Sequence, residues 1–81
     1  MSFRVLWFPQ PRKYIEGLPK AVASRILAKM DEVLIDPFRY LEHFEGPDYK
    51  LRIGDYRGLI EADFDNKILR VRVFYKRERI Y

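Results

Sequence analysis

The chain contains no cysteine, which excludes a disulfide framework, a thiol nucleophile and any zinc site built on thiolates. Histidine occurs once, as His43, so histidine-based catalysis has a single candidate and no partner imidazole. No glycine-rich phosphate loop is present, and no Ser-His-Asp set can be assembled. Long apolar runs are missing as well. The longest near the N-terminus, Val5-Leu6-Trp7-Phe8, is broken by Pro9, well short of the about 7–15 residues of a secretory core or the about 20 of a membrane span. A cytoplasmic protein without membrane contact is the expectation, and the lack of cysteine suits a reducing compartment.

What is present is a chain of 81 residues, 48% hydrophobic and 35% charged, with six Phe, six Tyr and one Trp. That aromatic content argues against disorder, and the length fits one domain spanning residues 1–81. The net charge of +4 is unevenly spread. Residues 1–48 carry seven basic and seven acidic side chains, whereas residues 49–81 carry nine basic and five acidic ones. The whole excess therefore lies in the last part of the chain, an asymmetry that points to a polyanion contacted by one region of the fold.

Residues 3–8 form an apolar, β-prone run ending at Pro9 and read as a strand. Pro9 and Pro11 favour a helix start, and Gly17 with Pro19 closes a short helix over 12–16. Val22, Ile26, Met30, Val33 and Leu34 then recur at helical spacing, which predicts an amphipathic helix over 20–35 stopped by Asp36-Pro37. Residues 38–48, with Gly46 and Pro47 around Tyr40, Leu41 and Phe44, read as an irregular link packed by its aromatics. Beyond them the period changes to two: strands over 49–53, 56–64 and 67–75, turns at Gly54-Asp55 and Asp65-Asn66, and an optional short strand over 79–81. The order β-α-α-β-β-β(-β) implies an α+β fold, an antiparallel sheet of three to four strands with a helical hairpin on one face.

With Asp65-Asn66 as a two-residue loop, Ala62 faces Leu69, Ile60 faces Val71, Gly58 faces Val73 and Tyr56 faces Tyr75. That face is apolar and is expected to carry the helices. The other holds Arg57, Leu59, Glu61 and Asp63 opposite Phe74, Arg72, Arg70 and Ile68. Glu61, Asp63 and Asp65 make a carboxylate row of the kind that holds magnesium, but Glu61 stands opposite Arg70 and is expected to pair with it; no metal site is assigned. The remaining chemistry is guanidinium, amine and phenol: Lys50, Arg52, Arg57, Arg77, Arg79 and Tyr81. Such a set binds phosphodiesters, with tyrosines available to stack bases.

The segment Tyr49-Lys50-Leu51-Arg52-Ile53-Gly54-Asp55-Tyr56-Arg57, then two apolar strands about an acidic turn and the ending Lys76-Arg77-Glu78-Arg79-Ile80-Tyr81, resembles the RelE group of the RelE/ParE toxin superfamily. The amphipathic helix ending in Asp36-Pro37 resembles it too, and the likeness covers essentially the whole chain. The resemblance implies the toxin of a type II toxin–antitoxin system: a ribosome-dependent endoribonuclease that cuts mRNA in the A site, needs no cofactor and no metal, and is neutralised by a RelB-type antitoxin. It places cleavage on Lys50, Arg52, Arg57, Arg77 and Tyr81, and contact with RNA or ribosome on Lys76 and Arg79; Arg70 and Arg72, on the basic open face of the hairpin, are expected to add to that contact.

The implied reaction is attack of the RNA 2′-hydroxyl on the adjacent phosphorus. Arg57 and Arg77 suit stabilisation of the phosphorane-like transition state, and Tyr81 or Lys50 supplies the base. Free tyrosine and lysine ionise near pH 10 or above, so either needs neighbouring cations to favour its deprotonated form. Arg52 stands where some relatives have lysine; an arginine binds phosphate but does not serve as a base. Two other readings use the same scaffold: a ParE-type toxin that inhibits DNA gyrase by protein contact, and a catalytically degenerate homologue that only binds RNA or antitoxin.

Overall fold

The computed structural model describes residues 2–77. After strand β1 (Arg4–Trp7), helix α1 (Pro9–Glu16) starts at Pro9 instead of Arg12. Its prolines occupy the first turn, where a helix has no use for the missing N–H. Helix α2 (Lys20–Ile35) has the expected bounds. Asp36 leaves the helical region, with φ −142° and ψ 78°, because Pro37 disfavours it there. One face of α2 buries Ile26, Met30 and Val33 against Leu51, Ile60, Leu69, Val71 and Phe74 of the sheet. Each such side chain contributes about 1.5–3 kcal/mol on burial.

Residues 38–48 are more regular than their composition suggests. Pro37–Tyr40 make a single helical turn, α3, followed by strand β2 (Leu41–Glu45), which pairs antiparallel with β3 (Asp48–Ile53). Gly46 makes the intervening turn with φ +54°, a conformation that only glycine adopts without cost. Strands β4 (Tyr56–Asp63) and β5 (Ile68–Lys76) complete a five-stranded sheet of order β1-β5-β4-β3-β2. The α+β class holds, but the sheet is mixed, because β1 runs parallel to β5. The long connection between them, which includes both helices, allows neighbouring strands to share a direction. The optional strand over 79–81 lies outside the described residues.

The β4–β5 hairpin follows the expected register only part of the way. Asp63 pairs with Ile68, Glu61 with Arg70, Ala62 with Leu69 and Ile60 with Val71. The loop is longer than two residues: Lys67 adopts φ +56° within the turn, and Asn66 donates from its backbone and its side chain to the Asp63 carboxylate at 3.0 and 2.9 Å. Past Ile60 the ladder shifts, so that Leu59 faces Val73, Gly58 faces Phe74 and Arg57 faces Tyr75. Arg72 is the extra residue of this bulge. The shift sends Phe74 into the core, where it is fully buried, instead of onto the open face. Its ring lies against Gly58, where a Cβ would sit 3.1 Å from Phe74 Cδ1, and stacks on Tyr56 at 5.7 Å.

The outer edge of β5 is closed by a side chain. β1 ends at Trp7, and further along β5 the Gln10 amide takes over the ladder. Its Nε2 donates to Phe74 O at 2.9 Å and its Oε1 accepts from Phe74 N at 2.8 Å.

Candidate nucleic-acid interface

Alternation along β3 turns Leu51 and Ile53 into the core and leaves Lys50 and Arg52 on the opposite face. Cross-strand pairing sets Glu42 of β2 beside Lys50 and Arg57 of β4 beside Arg52. Tyr40, Glu42, Lys50, Leu51, Arg52 and Arg57 line one open cleft of about 420 Å³. Three of the five residues assigned to cleavage by resemblance thus meet in one concavity.

Arg57 is held by the turn that precedes it. Its Nη1 donates to Gly54 O and to Tyr56 O, both at 2.8 Å, leaving the rest of its planar fork of donors for an anion. The same turn anchors Arg77, whose backbone N–H donates to Asp55 O at 2.8 Å. Gly54, with φ +56°, permits the tight reversal that presents both carbonyls. Arg52 is exposed, and no ion pair among the described residues engages it. Lys50 extends its ammonium over the Phe44 ring, 5.0 Å from the centroid.

The basic residues expected to contact RNA are placed differently. Arg70 pairs with Glu61 at 3.5 Å and Asp63 at 3.7 Å. Arg72 bonds Asp48 at 3.1 Å. Both point their charge at carboxylates along the far part of the sheet. Lys76 is opposite Tyr56, in register with the core-facing positions and one step off the row that holds Arg57. Tyr81 and Arg79 lie outside the described residues. In the expected Glu61, Asp63 and Asp65 row, Glu61 and Asp63 are taken up by protein partners: the side-chain and backbone bonds from Asn66, with the Arg70 charge, hold the Asp63 carboxyl below its ordinary pKa. His43, in the segment expected as an irregular link, is exposed on β2 and bonds Gly46 O at 2.9 Å through Nε2.

Glu42 is the cleft residue that sequence reasoning missed. Once 41–45 is a strand paired with β3, its alternation places Glu42 beside Lys50, and no ion pair among the described residues engages it.

No protein-family model matches the chain, and no curated protein matches it by sequence. Solved structures do. The RelBE2 toxin–antitoxin complex of Mycobacterium tuberculosis superposes with a TM-score of 0.83 at 16% identity, over 95% of this chain and 100% of that one. An archaeal RelE–RelB complex from Pyrococcus horikoshii gives 0.78 at 26% identity, over 98% and 99%. The E. coli toxin RelE, as an arginine-to-alanine double mutant in the free state, gives 0.79 at 19% identity, over 99% and 88%. Strand order, helix placement and this near-complete overlap agree: the chain has a RelE-like toxin fold.

Proposed function

We propose that the protein is the toxin of a type II toxin–antitoxin system and acts as a metal-independent, ribosome-dependent endoribonuclease on mRNA in the A site. The observation that carries this reading is the cross-strand pairing of Arg52 with Arg57 in a cleft shared with Lys50. Like charges set side by side repel, and a phosphodiester relieves that repulsion.

In the proposed step a base removes the 2′-hydroxyl proton and the 2′-oxygen bonds to phosphorus. The bond from phosphorus to the 5′-oxygen then breaks, and that oxygen takes up a proton. The products are a 2′,3′-cyclic phosphate and a 5′-hydroxyl. Arg57, with its guanidinium preorganised by Gly54 and Tyr56, and Arg77 neutralise the growing charge on the non-bridging oxygens. Arg52 binds the phosphate. Resemblance offers Lys50 or Tyr81 as the base, and the cleft adds Glu42. Glu42, the carboxylate of the cleft beside Lys50, is the favoured acceptor, with Tyr81 or Lys50 protonating the leaving oxygen. Arg70, Arg72, Lys76 and Arg79 are left to longer-range contact with RNA or ribosome.

Because the Mycobacterium tuberculosis and Pyrococcus horikoshii matches are complexes of a toxin with its antitoxin, a RelB-type antitoxin is the proposed partner. Among the described residues no helix is long and apolar enough to cross a membrane, and ribosomal action sets the proposed site of work in the cytoplasm. The test is purified protein added to ribosomes carrying a defined mRNA. Cleavage within the A-site codon, leaving a 2′,3′-cyclic phosphate, supports the reading; intact mRNA alongside inhibited DNA gyrase assigns the protein to the ParE-type activity instead.

A further inference from the structure

Most aromatic rings among the described residues have a packing role. Phe3, Tyr49 and Phe64 lie against the core, and Phe3 and Tyr49 each touch Phe64 edge to face. Phe44 does not. It stands on the edge strand β2 with 48% of its surface exposed and takes no part in the core cluster. The β2–β3 ladder is irregular between His43 and Glu45, so Phe44 is the unpaired residue of a bulge, the device by which a strand re-aims one side chain. Its ring is aimed at Lys50, whose ammonium is 5.0 Å from the ring centroid. Lys50 in turn lines the cleft with Arg52 and Arg57. An exposed aromatic ring is therefore joined, through one cation, to a cluster built for an anion.

We propose that Phe44 is the platform on which a nucleobase of single-stranded RNA stacks while the neighbouring phosphate occupies the Lys50, Arg52 and Arg57 cleft. This subsite deepens the RNA-cleavage reading and rests on it. Single-strand binders combine a cationic groove that follows the backbone with aromatic rings that accept any base by its flat face. Both parts are present side by side, and their order across the sheet, ring at the edge and guanidinium groups inward, sets a base outside and a phosphate inside. Stacking of this kind is indifferent to base identity, so the subsite fixes the position of the strand without reading its sequence.

The test is a binding cycle at low salt with a short single-stranded RNA and the same RNA made abasic at one position at a time, against the wild-type protein, Phe44→Ala and Phe44→Trp. The wild type is expected to lose about 5- to 150-fold in affinity at one abasic position. Phe44→Ala is expected to show the same loss with intact RNA and no further loss at that position, while Phe44→Trp retains wild-type affinity. Thermal unfolding of each variant checks that the fold persists. Equal affinity of Phe44→Ala and wild type, an abasic penalty that survives in Phe44→Ala at every position, or no binding of single-stranded RNA by the wild type each overturn the proposal. Cleavage plays no part in this readout, so base-dependent binding without ribosomal cleavage sinks only the nuclease reading.

Discussion

Arg52 and Arg57 are direct cross-strand partners, one on β3 and one on β4, with their side chains on the face away from the helices. A like-charged pair at such a position costs about 0.2–1 kcal/mol relative to neutral partners. Arg57 spreads part of its charge onto the carbonyls of Gly54 and Tyr56, whereas Arg52 has no carboxylate partner among the described residues. The fold thus tolerates a local penalty at the cleft. Arg52→Gln is expected to leave stability unchanged or raise it by about 0.2–1 kcal/mol in urea unfolding, while lowering cleavage on ribosomes. Lower stability together with full activity would show that the pair is structural.

Glu42 offers a second test, directed at proton transfer. Glu42→Gln keeps the shape of the side chain and removes its ability to accept a proton. The expected outcome is a loss of about 10²- to 10⁴-fold in single-turnover cleavage with little change in RNA affinity. Tyr81→Phe and Lys50→Met belong in the same series. If Glu42→Gln cuts at the wild-type rate and one of the others does not, the proton goes to that residue.

The bulge at Arg72 rests on close packing. With a Cβ at Gly58 only 3.1 Å from Phe74 Cδ1, Gly58→Ala forces the ring away from its stacked position on Tyr56. Overpacking of this kind costs about 1–3 kcal/mol, to be read as a lowered midpoint of thermal or urea unfolding. A variant as stable as the wild type would mean that the ring has room to move.

Asp63 carries a pH dependence of known sign. Its carboxyl titrates below the ordinary value because the Asn66 side chain, the Asn66 backbone N–H and Arg70 favour the charged form. The resulting stability is fully present above about pH 3.9, the ordinary aspartate value, and is lost as pH falls through the depressed folded value. Asp63→Asn is expected to be less stable than the wild type at neutral pH, with the difference shrinking below pH 4. A difference that stays constant to pH 2 would contradict this.

Much of this architecture is legible in the sequence because it rests on strong local signals. Helix α2 is set by Ile26, Met30 and Val33 at helical spacing and by Asp36-Pro37 at its end. The start of the β4–β5 ladder follows from the acidic turn, since a longer loop about the same centre leaves Ala62 opposite Leu69. The bulge leaves no such mark. Arg70, Val71, Arg72 and Val73 alternate without fault, and only the approach of Phe74 to Gly58 in the folded molecule shows which residue is extra. Strand β2 is hidden for another reason. It has one neighbour and its last four residues are exposed, so burial imposes no apolar alternation on it. Missing that strand meant missing Glu42 and misplacing Phe44. Lys50, Arg52 and Arg57 are legible because β3 and β4 alternate cleanly, and the Glu61 partner of Arg70 follows from the same ladder, whereas Asp48 beside Arg72 leaves no mark in the sequence.

In the proposed reading the Arg52–Arg57 pair of the β3–β4 ladder, joined by Arg77 from beside the Gly54-Asp55 turn, holds the scissile phosphate of the mRNA. This reading is tested most directly by mapping 5′ ends on cellular mRNA after expression without antitoxin, for the wild type and for Arg57→Ala with Arg77→Ala. The expected result is arrested growth with cuts phased to codons in the wild type, and neither in the double variant, which stays folded by circular dichroism. Arrest with DNA damage and uncut mRNA, or equal toxicity of the double variant, would contradict it.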